Sequence, residues 1–321
     1  NSLTIGLTYY DRLTTDGILP LESPPSTGFT SLYDNVVEIS NTGIEFDFNY
    51  NLFSNADTSV NLFGNFTAAD NVVEKLPGVS RIYMGGYLAS IVEGEDFNTL
   101  YGGRFLRNSD GSFVLGADNF PEVDPDQGVV GSAQPDYRAG LGALISKGPW
   151  DFSFVFETTQ GNEMWAGTYS VLKFFGIHPV TAVESVASVD LPKYGGGTVP
   201  AGTTFRGSVG DFGGGPVALE QQWYRSDGGG FGSIDEEAIF DASFIKLREV
   251  SLNYSLPSSI LEQIGAKGGS LGISGRNFLL QTNFPDVDPE INIEGAGKAR
   301  GVEYFTNPAT ESFLFNLKLN F

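Results

Sequence analysis

The clearest signal in the chain is alternation. Residues 312–321 put Phe313, Phe315, Leu317, Leu319 and Phe321 on one face, against Ser312, Leu314, Asn316, Lys318 and Asn320 on the other. A period of two residues is that of a half-buried strand. It returns in Leu3, Ile5, Leu7 and Tyr9 against Ser2, Thr4, Gly6 and Thr8, and in Ile44, Phe46, Phe48, Tyr50 and Leu52 against Glu45, Asp47, Asn49 and Asn51. Val60 to Phe66, Tyr137 to Ile145, Trp150 to Phe156, Val250 to Leu256 and Leu271 to Gly275 continue the pattern. The periodicity predicts about eight strands, several longer than the usual five or six residues.

The expected connections alternate in length. Short turns fall near 54–57, 147–149 and 257–268, whereas residues 12–35, 72–136, 162–241 and 280–310 form long segments rich in Gly, Pro, Asn, Asp and Ser. No run approaches 20 apolar residues, so no helix is expected to span a membrane. A closed barrel is the other structure that satisfies its backbone in lipid, and short turns opposite long loops are the mark of outer-membrane barrels.

Composition narrows the choice. A formal charge of −21, with 18 basic residues scattered along the chain, disfavours a phosphate backbone as partner, so no nucleic-acid binding is expected. Most of the acidic excess lies in the four long segments, which leaves the strands nearly neutral, as a lipid-facing wall requires. With no Cys, disulfides, thiolate metal sites and thiol nucleophiles are excluded. The expected fold is therefore all-β, a transmembrane antiparallel barrel with long extracellular loops.

Two architectures fit eight strands. One is a small self-closed barrel acting as an adhesin or binding module. The other is part of a larger barrel, favoured by the long loops and by a small, wettable second face: Ser2, Thr4, Gly6, Thr8, Asn61, Asn65, Gly140, Gly142, Ser251, Asn253 and Ser255.

A family resemblance favours the second. ASFIKLREVSLNYSLPSSIL from Ala242 to Leu261, LGISGRNFLLQTNF from Leu271 to Phe284 and DVDPEIN from Asp286 to Asn292 resemble, in order, signatures of SusC-like (SusC/RagA) TonB-dependent outer-membrane transporters. NTGIEFDFNYNL from Asn41 to Leu52, the stretch from Ala133 to Trp165 and QQWYRSDGG from Gln221 to Gly229 are similar to upstream family segments. The chain departs where Ala242 and Phe244 replace the family's common Gly or Ser and Tyr.

The resemblance implies that residues 1–321 are the C-terminal strands of a barrel of about 22 strands, with the plug domain and N-terminal strands absent. It implies TonB-dependent import of oligosaccharides or peptides across the outer membrane of a Gram-negative bacterium, with this chain supplying wall and loops. The implied partners are a SusD-like surface lipoprotein, TonB through the missing N-terminal part, the substrate and outer-membrane lipid. No enzyme activity and no cofactor are implied.

Candidate sites are few. Trp165, Trp223, Tyr224 and Arg225 place aromatic faces beside polar groups, which suits substrate contact by sugar stacking, although loop packing or lid contact explains them more readily. Asp118, Glu122, Asp124 and Asp126, and also Asp286, Asp288 and Glu290, are hard oxygen donors, but they lack the twelve-residue calcium-loop spacing and read as solvated turns, so no metal is expected. His178 has no nucleophile beside it, and no catalytic residue is expected. The glycine triplets at 195–197, 213–215 and 228–230 read as flexible loop, and Asp110 with Gly111 predicts a hairpin.

Overall fold

The computed structural model describes every residue except 1, 233, 296 and 298. Eight strands form one antiparallel sheet in sequence order: β1 (Ser2–Glu22), β2 (Ser31–Ser54), β3 (Thr58–Lys75), β4 (Tyr137–Lys147), β5 (Trp150–Gln160), β6 (Phe244–Ser255), β7 (Gly268–Thr282) and β8 (Ser312–Asn320). Each alternating segment of the sequence coincides with one of these strands, overrunning it by one residue at Leu256 and at Phe321. Among the described residues no ladder joins β1 to β8, the pairing that a self-closed eight-stranded barrel needs.

The register sorts the two faces. Leu3, Tyr50, Leu62, Ala143, Phe154, Val250, Gly275 and Phe313 are successive partners in one row across all eight strands. Beside it runs Ser2, Asn51, Asn61, Leu144, Ser153, Ser251, Ser274 and Leu314, mostly polar and facing the other way. The apolar face is open: Leu7 is 68% and Phe315 80% exposed. Aromatic residues bound it, with Tyr9 and Tyr137 towards the long connections and the Trp150–Tyr254 pair, rings 4.5 Å apart, beside the short turns. The eleven residues from Tyr137 to Lys147, the partner of Trp150, span about 33 Å of strand. At a tilt near 40° that covers about 25 Å, the height of an outer-membrane apolar band.

Residues 12–35 correct one expectation. They are mostly strand: β1 and β2 stay paired from Arg12↔Asn41 to Glu22↔Ser31, with a single 3-10 turn at Pro25–Thr27. Register shifts around Thr14, Gly17 and Ile18, with Asp16 at φ 56°, break the two-residue period while backbone pairing continues.

The remaining long connections fold at the same edge of the sheet. Residues 76–136 hold a four-stranded sheet (Arg81–Gly85, Ala89–Val92, Thr99–Gly102 and Gly128–Ser132), packed through Ile82 and Ile91 against Val36, Val37 and Val73 on β2 and β3. The Asp110 hairpin forms as the sequence predicts: Val114 N–H donates to Leu106 O at 2.9 Å, and Gly111 takes φ 86° at the turn. Residues 161–243 carry helix α1 (Gly167–Phe174) and several two-stranded ribbons. The strand Glu163–Ala166 pairs with both Ile239–Asp241 and Val302–Glu303, tying this connection to the one between β7 and β8.

Candidate functional site

Trp165 and Trp223 lie inside the loop layer. Trp165, 2% exposed, donates from Nε1 to Gly230 O at 3.2 Å, with Tyr87 4.8 Å and Tyr304 6.1 Å from its ring. It forms part of the floor of an apolar recess of about 350 Å3 with Tyr87, Phe231 and Tyr304. Trp223, on the helical turn Gln221–Tyr224, is 1% exposed, surrounded by Phe105, Phe120, Tyr194 and Phe212 at 5.1–6.1 Å. A ring enclosed on this scale has no free face on which a sugar could stack. The last glycine triplet is part of this packing: a Cβ on Gly228 would lie 2.1 Å from the Trp223 indole, so the position is filled by close approach rather than left flexible.

Tyr224 and Arg225 do reach a cleft. It has a volume of about 450 Å3 and is lined by Lys173, Phe174, Phe175, Arg206, Tyr224 and Arg225 among others. Sequence reasoning missed Lys173 and Arg206, which lie far from the aromatic motif and are brought to it by α1 and the ribbon ending at Arg206. The Arg206 guanidinium is fixed by two carbonyls, Thr181 O at 2.9 Å and Gly176 O at 3.3 Å. Arg225 lies over the Phe174 ring, 5.9 Å from its centre. Lys173 is buried with Glu237 at 3.3 Å. Burial pulls the ammonium of Lys173 below its ordinary value against the opposing field of Glu237, and burial likewise raises the Glu237 carboxyl. The cleft thus joins aromatic surface to cationic groups, with the carboxylate of Glu220, paired to Lys193, also on its lining.

The carboxylates of the DVDPE segment are held by basic partners. Asp286 accepts from His178 Nε2 at 2.9 Å, Asp288 and Glu290 both reach the Lys246 ammonium, and Glu290 also pairs with Arg248. Arg248 bonds Glu157 at 2.5 Å as well. Two-residue alternation puts Arg248 beside Lys246 on the polar face, and a bulge between Leu247 and Glu249 then resets the phase so that Val250 returns to the apolar one. In the other acidic segment, Asp118 accepts from Gly195 N–H at 3.0 Å and Asp124 from Arg104 at 2.9 Å. Among the described residues, no three or more His, Asp or Glu side chains form a metal-holding group.

No protein-family model matches the chain. TonB-dependent receptor P3 of Formosa agariphila is 24% identical across the whole chain and 32% of the relative. TonB-dependent receptor P26 of the same organism is 27% identical over 88% of the chain and 29% of the relative. The chain therefore spans about a third of the curated relatives it matches. Among solved structures, the RagAB peptide importer in its open-open state superposes with a TM-score of 0.68 at 20% identity, over 99% of this chain and 33% of that one. Its closed-closed state gives 0.67 at 19%, also over 99% and 33%. An almost wholly β structure that aligns along its own length with about a third of each of these proteins makes the chain a homologue, over that part, of the SusC/RagA-type TonB-dependent transporters of the Gram-negative outer membrane.

Proposed function

We propose that the chain supplies wall and extracellular loops to a TonB-dependent importer of oligosaccharides or peptides, as the C-terminal strands of a barrel of about 22 strands. The observation that carries this is the division of the sheet: an open apolar face, a polar opposite face, and the long connections folded into one layer at one edge. A polar face this wide suits an aqueous lumen. The wider reading has a plug domain closing that lumen, TonB pulling on a segment outside residues 1–321, and a SusD-like lipoprotein covering the loops. The RagAB homologue is a peptide importer by name, which supports a peptide among the substrates.

Within this reading Tyr224 and Arg225 meet the ligand or the lid, and Trp165 and Trp223 hold that surface from beneath. The test is uptake by cells expressing the full open reading frame, with and without TonB, using labelled oligopeptides and labelled oligosaccharides. Accumulation of one class only when TonB is present is the expected result. Uptake indifferent to TonB, or none of either class, refutes the reading.

A further inference from the structure

A second cavity lies where the polar face of the wall meets the β7–β8 connection. Its volume is about 670 Å3, and Arg138, Glu157, Thr159, Asn162, Asn292 and Arg300 are among its lining residues. Arg138 belongs to the polar face, in a row of partners running Thr8, Glu45, Thr67, Arg138, Thr159 and Phe244. Under the importer reading, on which this inference rests, that row faces the lumen.

Of the two lining carboxylates, Glu157 bonds Arg248 and Glu290 is shared by Lys246 and Arg248. Neither is left to balance Arg138. Glu45 stands on the same row two strand spacings away, about 10 Å, and among the described residues no ion pair joins it to Arg138. Arg138 and Arg300 both line this cavity, and the Arg300 guanidinium is pushed below its ordinary value, first by burial and then by the Arg138 charge. A guanidinium on the polar face, that of Arg138, with no lining carboxylate left to it makes a place for an anion.

A second observation defines what accompanies the anion. Oδ1 of Asn162 and Oδ1 of Asn292 are both buried with no hydrogen-bond partner, although such acceptors cost free energy when unsatisfied. Acceptors of this kind fit a ligand that brings N–H or O–H groups beside its negative charge. Met164, Phe244 and Ile291 complete the lining with apolar surface.

We propose that this cavity is a carboxylate-binding subsite of the lumen wall, with Arg138 meeting the anion, Arg300 supporting it and Asn162 and Asn292 accepting from adjacent donors. The ligand carboxylate is the free C-terminus of a peptide or the uronate of an acidic oligosaccharide.

The test uses the full transporter purified in detergent and titrated calorimetrically with four probes: trialanine, trialanine amide, trigalacturonate and its methyl ester. In at least one pair the acid is expected to bind about tenfold more tightly than its neutral form, the size of one charged hydrogen bond. The pair that shows the preference identifies the source of the carboxylate. Arg138→Gln should erase that preference while leaving the neutral probe unchanged, and Arg138→Lys should keep part of it. Absence of any acid preference in the wild type, including no binding of all four probes, overturns the proposal. So does an Arg138→Gln variant that weakens acid and neutral probes alike. Binding is read without TonB, so failure here leaves uptake intact, whereas failure of the importer reading abolishes uptake of acid and neutral probes together.

Discussion

The Lys246 ammonium on β6 lies 2.5 Å from Oδ2 of Asp288 in the β7–β8 connection, and the two side chains are 3% and 10% exposed. Two signatures separated in the sequence, ASFIKLREVSL and DVDPEIN, thus meet in one nearly dry ion pair. Removing two charges from water is costly, so such a pair adds little net stability, but losing one partner leaves the other charge buried and alone.

Lys246→Met is therefore expected to cost about 3 kcal/mol, since Asp288 loses its cation and Glu290 one of two. The damage should be local: residues 283–311 become sensitive to thermolysin while the wall strands stay protected. Adding Asp288→Asn removes the uncompensated charge and should recover part of the loss in a double-mutant cycle. Equal sensitivity of wild type and Lys246→Met would show that the pair does not hold the connection.

Acid should act on the same link through Glu290. Burial alone would raise its carboxyl, but hydrogen bonds from Arg248 and Lys246 prevail and hold it below the ordinary value of 4.5. A depressed glutamate contributes stability that is complete above its unfolded pKa and is lost as pH falls through the lower folded value. Hydrogen exchange at residues 286–292, corrected for intrinsic rates, should stay slow from neutral pH down to about 4.5 and quicken below it. Glu290→Gln should exchange fast throughout. A wild-type profile that is flat down to pH 3 would contradict this assignment.

Trp223→Ala should remove about 3–5 kcal/mol, the usual cost of emptying a buried tryptophan site. Because the ring sits among Phe105, Phe120, Tyr194 and Phe212, cleavage by thermolysin should rise across residues 103–234, and Trp223→Phe should restore most of the protection. Arg225→Ala, at an exposed residue of the cleft, should leave protease resistance unchanged and alter ligand or lid affinity instead. If Trp223→Ala lost affinity with undiminished protease resistance, the indole would belong to the binding surface after all.

The contrast between these two neighbours marks what the sequence reveals. Alternation marked part of each strand of the large sheet because a strand with one apolar and one polar face writes its period directly into the residues, as Phe313 to Leu319 do. It fails at Asp16 and Gly17, where a bulge shifts the period without ending the pairing. Site residues are harder to read. Trp223 and Tyr224 are adjacent in sequence, yet one is sealed by aromatics drawn from 105, 120, 194 and 212 while the other lines a cleft, and no local pattern encodes that gathering. The acidic DVDPE segment looked like turn or calcium ligand because its basic partners, His178, Lys246 and Arg248, come from other elements.

Adjacent residues of β8 provide the sharpest test of the membrane assignment. Phe315 continues the row Val60, Ile145, Phe152, Leu252 and Ile273, whereas Asn316 continues Ser59, Ser146, Asp151, Asn253 and Gly272 on the opposite face. In water an 80% exposed Phe replaced by Arg would gain solvation and lose little packing. In lipid the same change puts a guanidinium against hydrocarbon, where a cost of about 2–4 kcal/mol at the midplane falls to about 1 kcal/mol at Phe315, two residues along the strand from the Trp150–Tyr254 row. Asn316→Arg, on the wet face, should stay within about 0.5 kcal/mol of wild type. Urea unfolding of the full transporter in lipid vesicles should therefore shift to lower denaturant for Phe315→Arg and not for Asn316→Arg. Equal midpoints for both, or a more stable Phe315→Arg, would mean that the apolar row does not face lipid.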